Sequence, residues 1–253
     1  MSVTTSLCSS TADDIRIRGR SLPHELMGNV SFTQMIFFHL TGSDPTPAQT
    51  ALLDASLVAL MEHGLTPTAI TARMTYTSAP EAMQGAVAAG LLSVGSLFVG
   101  TLEGCAALLV RIVAADEPER TARHIVTEAR AARRHVPGFG HPVHTPVDPR
   151  TVTLLRLAEQ HGVRGAHCDA LELLERTIGE AAGRDLPANV TGAIAAVLTD
   201  AGLPPEILRG IALISRCAGL VGHIREEQLA PAMRQLWHAA EQAVPYVSPE
   251  EEP

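Results

Sequence analysis

The chain has 253 residues, of which 46% are hydrophobic and 18% are charged, a composition that excludes a disordered protein. This length is enough for one large domain or two modest ones. The formal net charge of -8 argues against nucleic acid as the main partner. No uninterrupted apolar run reaches the roughly 20 residues that cross a bilayer, so we expect no membrane span.

The beginning of the chain and its cysteines predict a cytoplasmic protein. Residues 1–8 lack the basic segment followed by an apolar segment that marks a secretion signal. The cysteines at positions 8, 105, 168 and 217 are scattered and form no CxxC pair, so we expect reduced thiols. No metal site is predicted, because the histidines do not fall at zinc-ligand spacing with cysteine or carboxylate partners.

Helical signals cover most of the chain. Thr46 and Pro47, an N-cap residue and a first-turn proline, precede a helix over 48–63 with apolar residues on one face. Ser78 and Glu81 have the spacing of a capping box before a small-residue helix over 82–97, which we expect to pack at close approach. Further helices are predicted over 117–135, 148–161, 168–182, 187–201, 204–221 and 226–243, with Gly162, Gly183 and Gly202 closing three of them. No stretch of four to eight residues alternates as a strand would, so the sequence predicts an all-α fold.

Segment 135–150 is a long helix-free stretch, rich in proline and glycine, that carries His135, His141 and His144. Binding residues often lie on loops held by helices, so we interpret it as a binding loop; a rigid turn with incidental histidines is the alternative. The arginines just before it are either ordinary surface charges or contacts to an anion such as a cofactor phosphate: Arg130, Arg133 and Arg134.

Five segments in order resemble the citrate synthase family. Pro137-Gly-Phe-Gly-His-Pro-Val-His144, followed by Asp148-Pro-Arg150, resembles the signature PG(F/Y)GH…DPR. Met61-Glu-His63 with Thr68–Arg73 is similar to the family's (D/E)H…AR…S region, and Ala86–Glu103 to the segment that follows it. Asn189-Val-Thr191 lies where the family has N-V-D, and Arg216–Glu226 resembles its R…G…H…E helix junction. The shortness of the chain and its opening at Asp14–Arg20 resemble the citryl-CoA lyase type.

The resemblance implies a helical enzyme that joins acetyl-CoA to a 2-oxo acid by a Claisen-type condensation, or reverses that reaction. It implies a coenzyme A thioester as substrate, bound by Pro137, Gly138, Phe139 and Gly140, with phosphate contacts from Arg133 and Arg134 as a hypothesis. By the same resemblance His63 and His141 bind the substrate, His141 also at its carbonyl or hydroxyl oxygen, while Arg150 and Arg216 bind its carboxylates. A salt bridge is the alternative role for Arg150, and a buried cap for His63.

Two positions depart from citrate synthases. Phe98 replaces a histidine of the thioester pocket, as it does in citryl-CoA lyases. Thr191 replaces the aspartate that acts as base in synthesis, and an uncharged hydroxyl cannot inherit that role. Either another residue supplies the proton, with Glu103 and His144 as candidates, or the substrate differs, or the protein binds without turnover. A helix cap is the alternative role for Thr191.

We therefore expect a citrate synthase-like fold with a larger helical domain over 1–104 and 205–253 and a smaller one over 105–204, with the active site in the cleft between them. The expected protein is a homodimer or a higher homo-oligomer that cleaves citryl-CoA or a similar 3-hydroxy-3-carboxyacyl-CoA to acetyl-CoA and a 2-oxo acid. A non-catalytic or regulatory relative that binds a CoA ester and a polycarboxylate is the alternative. The sequence does not identify the substrate.

Overall fold

The structure, a computed structural model, describes residues 3–95, 100–140 and 147–248, and the statements below concern those residues. Its α-helices in chain order are α1 (Phe32–Thr41), α2 (Pro47–Met61), α3 (Pro67–Ser78), α4 (Met83–Leu92), α5 (Thr101–Val113), α6 (Pro118–Ala131), α7 (Pro149–Gln160), α8 (Ala166–Ala182), α9 (Val190–Asp200), α10 (Leu208–Leu229) and α11 (Met233–Ala243). A short 3-10 turn, Pro205–Ile207, leads into α10. The all-α class predicted from the sequence is confirmed.

A small antiparallel sheet precedes the helices. Its strands are β1 (Cys8–Ser10), β2 (Ile15–Ile17) and β3 (Arg20–Ser21), in that order across the sheet. Arg16 of β2 lies opposite Ser9 on one side and Ser21 on the other. The sequence did not predict this sheet, because strands of two or three residues are too short to show an alternating pattern. A single π-helical turn, Leu22–Leu26, follows it.

The chain forms two compact units, one of residues 1–59 and 101–209 and the other of residues 60–100 and 210–253. In the first unit α9 packs against α5, α7 and α8, while α6 packs against α8 and α5. Every residue from Val190 to Leu198 is buried. A helix that is apolar all round belongs inside a core, so α9 forms the centre of this unit.

In the second unit α4 packs closely on α3, and α11 also contacts α3. A Cβ atom at Gly90 of α4 would lie 2.7 Å from Leu220 Cδ1 and 2.9 Å from the carbonyl oxygen of Thr68. Only glycine allows this approach. The close packing expected from the small residues of this segment is found at Gly90, but Ala86 and Gly90 are the only buried residues of α4, which ends at Leu92 and not at 97.

A buried ion-pair network also holds this second unit. Arg73 of α3, 3% exposed, donates to Glu227 at 2.8 Å through Nε and to Glu226 at 2.7 Å through Nη1. The second carboxylate oxygen of Glu227 accepts the backbone N–H groups of Ala232 and Met233, where α11 begins. Glu227 therefore anchors the start of α11 and also compensates the buried positive charge of Arg73.

Several helix ends lie where the sequence predicts them. Thr46 and Gln49 exchange side chain-to-backbone hydrogen bonds of 3.2 and 2.8 Å at the start of α2. Gly183 ends α8 in the left-handed conformation, with φ of 65°, and Gly162 and Gly202 follow α7 and α9 with positive φ. These glycines stop the helices as expected.

Other boundaries are wrong. Ser78 does not begin a helix; it is the last residue of α3, and Ala82 precedes α4. Helix α10 runs to Leu229 instead of ending at Val221, and α11 begins at Met233 instead of near Glu226. The contacts of Glu226 and Glu227 explain why the break between α10 and α11 was misplaced. Both carboxylates bind Arg73, which is distant in the sequence, and Glu227 also accepts the first backbone N–H groups of α11, a contact that no local sequence pattern shows.

The stretch Pro205–Leu229 is long and apolar enough to cross a membrane by length and composition. The prediction of no span rested on uninterrupted apolar runs, which Arg209 and Arg216 break here. Of the most apolar window, 50% is buried inside the protein, and Arg216 is buried with it. The core helix of a globular protein has the same properties.

The domain limits expected from the sequence, 1–104 with 205–253 and 105–204, stay a prediction.

Candidate active site

The glycine loop before residue 141 is tied to the residues that precede α9. The backbone N–H of Gly140 donates to the carbonyl of Pro187, and that of Asn189 donates to the carbonyl of Gly138, both at 2.9 Å. The Asn189 amide group adds a 2.8 Å hydrogen bond to the carbonyl of Gly140. The loop and the N-terminus of α9 therefore form one continuous backbone arrangement.

Two glycines allow this arrangement. Gly138 has φ of +90°, and a Cβ there would lie 2.6 Å from Cys105 Sγ and 3.0 Å from Gly192 Cα. A Cβ on Gly192 would lie 2.5 Å from the carbonyl oxygen of Gly138. Helices α5 and α9 thus contact the loop backbone directly. Burial raises the pKa of the Cys105 thiol to about 12, so this side chain is a packing residue and not a nucleophile.

Asp148 is the buried carboxylate of the site, with 1% exposure. One oxygen accepts the backbone N–H and Nε–H of Arg150 at 3.0 and 3.1 Å, and the other accepts Nη2 of Arg150 at 2.9 Å and the backbone N–H of Val190 at 3.1 Å. Asp148 therefore caps α7 and links it to the start of α9. Burial opposes its ionisation, but the hydrogen bonds from Arg150 and Val190 outweigh burial and hold its pKa below the usual range.

Arg150 thus has an internal carboxylate partner. Asp148 takes the edge formed by Nε and Nη2, which is the bidentate geometry typical of arginine and carboxylate. The Nη1 group lies outside this pair. Asp148 therefore holds the guanidinium of Arg150 in one orientation. Binding of a substrate carboxylate by Arg150 stays a prediction.

Thr191 lies in a chain of three polar side chains. Its hydroxyl is 2.7 Å from Asn189 Oδ1 and 2.8 Å from the hydroxyl of Thr101 in α5. The amide oxygen of Asn189 also accepts the backbone N–H groups of Thr191 and Gly192 at 3.0 and 3.3 Å. Asn189, not Thr191, is therefore the N-cap of α9. Because an amide oxygen only accepts, Thr191 donates to Asn189 and accepts its second hydrogen bond from Thr101.

Glu103, one candidate for the missing acid–base group, points away from Thr191. Positions 101 and 103 of a helix are about 200° apart around its axis. Thr101 faces Thr191 in α9, while Glu103 forms an ion pair with Arg209 Nε at 2.9 Å. The geometry within this unit does not support Glu103 as the replacement.

A cavity of about 680 Å³ lies beside the glycine loop. Its apolar lining includes Phe139, Val126 and Ile178, and its basic lining consists of Arg130, Arg134, His135 and Arg184. Arg133 is not among the described residues that line it. Arg133 is as exposed as the arginines that line the cavity, and it differs from them in a backbone φ of 50°. The structure therefore separates the two arginines that the sequence groups together.

The arginines of the cavity lack acidic partners among the described residues. Arg130 donates to the carbonyl of Ala181, and neither Arg134 nor Arg184 forms an ion pair in that part of the chain. Several arginines of the same unit do pair with carboxylates, namely Arg111, Arg150, Arg164 and Arg209. Three guanidinium groups without a carboxylate partner, beside a cavity whose lining is partly apolar and partly basic, favour an anionic ligand with an apolar part.

His63 and Arg216 belong to the second unit. His63 lies two residues beyond α2 and is half-buried, and its backbone N–H donates to Glu62 Oε1 at 2.7 Å. Arg216 is buried in α10, one turn before Gly219 and two turns before His223 on the same face. Their roles toward a substrate stay predictions. Three further residues with predicted roles, Phe98, His141 and His144, lie outside the described residues.

The sequence did not assign roles to Asp148, Thr101 or Arg184. Asp148 directly before Pro149 is a usual N-cap pattern and could have been found. Thr101 and Arg184 lie in no recognisable pattern, because their contacts join parts of the chain far apart in sequence. Among the described residues no group of three or more histidine, cysteine, aspartate and glutamate side chains could hold a metal ion.

These features define an all-α protein in which a glycine loop and a capped arginine turn meet the start of one buried helix. The chain belongs to the citrate synthase family: the family profile described as citrate synthase, C-terminal domain, matches residues 5–237. This family includes enzymes, among them citrate synthases and citryl-CoA lyase.

Two sequence relatives show how far this similarity extends. The citrate synthase of Synechocystis is 25% identical over 215 residues, which cover 83% of this chain and 53% of that protein. The putative citrate synthase 2 of Mycobacterium tuberculosis is 28% identical over 217 residues, or 82% of this chain and 56% of that protein. The chain therefore spans about half the length of the curated relatives it matches.

Solved structures show a match over the full length. Citryl-CoA lyase from Hydrogenobacter thermophilus is 32% identical, with a TM-score of 0.87, and the match covers 99% of this chain and 97% of that one. ATP citrate lyase from Methanosaeta concilii, solved in complex with (3S)-citryl-CoA, has a TM-score of 0.82 at 18% identity, covering 99% of this chain and 42% of that one. At this low identity the second match shows the fold alone.

Proposed function

We propose that this protein is a carbon–carbon lyase that cleaves citryl-CoA, or a similar 3-hydroxy-3-carboxyacyl-CoA, into acetyl-CoA and a 2-oxo acid. The observation that carries the proposal is the similarity to citryl-CoA lyase, 32% identical with a TM-score of 0.87 over 99% of this chain, whereas the two citrate synthase relatives are 25% and 28% identical. Condensation in the reverse direction is possible in principle. We further propose that the protein is cytoplasmic and a homodimer.

The cavity beside the glycine loop supports coenzyme A as the thioester carrier. The nucleotide end of coenzyme A combines phosphates with a flat aromatic base, so its site needs cations next to an apolar surface. Arg130, Arg134 and Arg184 supply the cations, and Phe139 is part of the apolar lining. Hydrogen bonds from guanidinium groups to phosphate are among the strong ones in proteins.

The polycarboxylate would bind Arg150 and Arg216, with His63 and His141 at its polar groups. The pair with Asp148 holds Arg150 before any ligand arrives, which lowers the entropy lost on binding. Cleavage requires removal of the proton from the 3-hydroxyl group, for which we propose His141. The C2–C3 bond then breaks, its electron pair forms the thioester enolate, and the enolate carbon takes up a proton.

The donor of that last proton is not Thr191. The Thr191 hydroxyl is uncharged at neutral pH, and its proton is engaged by Asn189. Glu103 is turned toward Arg209, so His144 is the remaining candidate among the residues that the sequence pointed to. Loss of this proton donor would cost roughly 10²–10⁴ in rate, so His144→Ala should lower the rate of cleavage by that factor.

The hydrogen bond from Thr191 to Asn189 also favours a second candidate function. In that function the protein is a relative that binds a CoA ester and a polycarboxylate without converting them. Titration calorimetry with citryl-CoA, paired with product analysis by mass spectrometry, separates the two. Release of acetyl-CoA and oxaloacetate supports the lyase. Binding without release, together with activity gained in Thr191→Asp, supports the non-catalytic relative and contradicts the lyase.

A further inference from the structure

A buried histidine reaches the turn that carries His63. His223 of α10, 8% exposed, places Nε2 at 2.9 Å from Glu62 Oε2. The other oxygen of Glu62 accepts the backbone N–H groups of His63 at 2.7 Å and Gly64 at 2.6 Å. One carboxylate therefore joins α10 to both amides of this turn.

The backbones of α10 and of this turn lie unusually close together. A Cβ on Gly219 would lie 2.0 Å from the carbonyl oxygen of Met61, a distance that no side chain tolerates. His223 follows Gly219 by one turn, so it lies on the same face of α10. Contact at Gly219 thus brings His223 within reach of Glu62.

The turn needs such support because α2 ends at Met61 and Gly64 adopts a φ of +74°. Glycine is flexible, and an unsupported turn of this kind would sample several conformations. Burial opposes ionisation of Glu62, but its close contact with His223 and the hydrogen bonds from the backbone N–H groups of His63 and Gly64 outweigh burial and lower its pKa. The carboxylate is therefore charged at neutral pH and holds both N–H groups strongly.

We propose that His223 is a positioning residue for the proposed reaction. It holds the Glu62 carboxylate, and that carboxylate holds the His63–Gly64 turn, so His223 sets the position of His63 relative to the substrate. The inference rests on the lyase function and extends it to a residue that need not touch the substrate. Misplacement of a reacting group by about 1 Å can cost on the order of 10² in rate.

A first experiment measures the turn itself. Amide hydrogen exchange, followed by NMR on the full chain, should show faster exchange of His63 and Gly64 in His223→Leu and in Glu62→Ala. The matched control is His238→Leu, since His238 is an exposed histidine that lies 3.5 Å from Glu241 on α11. Unchanged exchange at both amides in His223→Leu would overturn the proposal.

A second experiment measures steady-state cleavage of citryl-CoA. His223→Leu should lower kcat/KM by about 10²-fold, because His63 is proposed to bind the substrate, and His223→Gln, which keeps an N–H donor, should recover most of it. A loss that His223→Gln does not recover, or a kcat/KM unchanged by His223→Leu, would contradict positioning. If the unaltered protein shows no cleavage, the lyase function fails, and the exchange rates still decide whether His223 holds the His63 turn.

Discussion

The hydroxyl group of Thr191 donates a 2.7 Å hydrogen bond to the amide oxygen of Asn189, the residue that caps α9. This relationship decides what position 191 can do. Where the family has an aspartate, this chain has a neutral group whose proton is held by the cap and whose lone pair accepts from Thr101. The Thr101–Thr191–Asn189 chain is thus a structural link between α5 and α9.

This link predicts a stability effect. Thr101→Val should lower the free energy of unfolding by about 1 kcal/mol, because it removes the hydrogen bond to Thr191. Thr191→Val should lower it by about 2 kcal/mol, because it removes this bond and also the bond to Asn189. Since both substitutions break the same bond, the double variant should lose less than the sum of the two. Urea unfolding of the four proteins measures this.

Thr199→Val is the control for that cycle, since its hydroxyl donates only to the carbonyl of Ala195 in the same helix. The loss of unfolding free energy caused by Thr199→Val should add fully to the loss caused by Thr101→Val. Full additivity between Thr101→Val and Thr191→Val would instead mean that the two hydroxyls do not interact in solution.

Asp148 predicts a pH dependence. Its pKa in the folded protein lies below the unfolded value of about 3.9, so its contribution to stability is present above about pH 4 and is lost as pH falls through the folded pKa. Asp148→Asn keeps a capping side chain but loses the charge, and should cost about 2 kcal/mol at pH 7. Urea unfolding between pH 7 and pH 3 should show this difference shrinking below pH 4.

The control for Asp148 is Asp169→Asn, which alters an exposed pair with Arg164. Exposed pairs contribute little, so this change should stay within about 0.5 kcal/mol at every pH. A gap between wild type and Asp148→Asn that stays constant down to pH 3 would show that the Asp148 charge does not stabilise the fold.

The glycine loop predicts a contrast between two neighbours. Gly138 and Gly140 both have positive φ, but among the described residues a Cβ meets a neighbour only at Gly138, where it would lie 2.6 Å from Cys105 Sγ. Gly140→Ala should therefore cost only the backbone strain, about 1–2 kcal/mol. Gly138→Ala adds a steric clash and should cost clearly more, as thermal unfolding will show. Equal losses would mean that Cys105 moves away at no cost.

The arginine-lined cavity predicts which residues bind coenzyme A. Arg134→Ala and Arg184→Ala should each weaken CoA binding about 10-fold or more, because each removes a charge-assisted hydrogen bond of roughly 1.5–3 kcal/mol. Arg133→Ala is the matched control, since Arg133 does not line the cavity, and it should bind as wild type does. Calorimetry measures all three. An effect of Arg133→Ala equal to that of Arg134→Ala would move the phosphate site away from the cavity.

The sequence predicted the helical fold and several helix ends, because caps and stops are local. Thr46, Gly183 and Gly202 act through residues a few positions away, and their patterns are visible in the chain. The helices α1, α3 and α5 were not assigned limits, and the break between α10 and α11 was misplaced. That break depends on the distant partner Arg73, which no local pattern shows.

The candidate site was predictable only as a set of residues. The family resemblance pointed to Arg150 and Thr191, but their partners Asp148, Asn189 and Thr101 received no roles. Arg133 and Arg134 are adjacent in the sequence, and only the bend of the backbone at Arg133 separates their surroundings. Arg184 lies in another segment of the chain, so its place beside Arg134 in the cavity could be found only from the folded structure.

Cleavage of citryl-CoA is the most direct test of the proposed function. Purified protein and a His141→Ala variant would be incubated with citryl-CoA, and acetyl-CoA and oxaloacetate followed by mass spectrometry over time. Formation of both products by the unaltered protein, reduced by roughly 10²–10⁴ in the variant, is the predicted result. If citryl-CoA binds and no acetyl-CoA forms, the chain is not the proposed lyase, and equal rates of formation by the two proteins would contradict the role of His141.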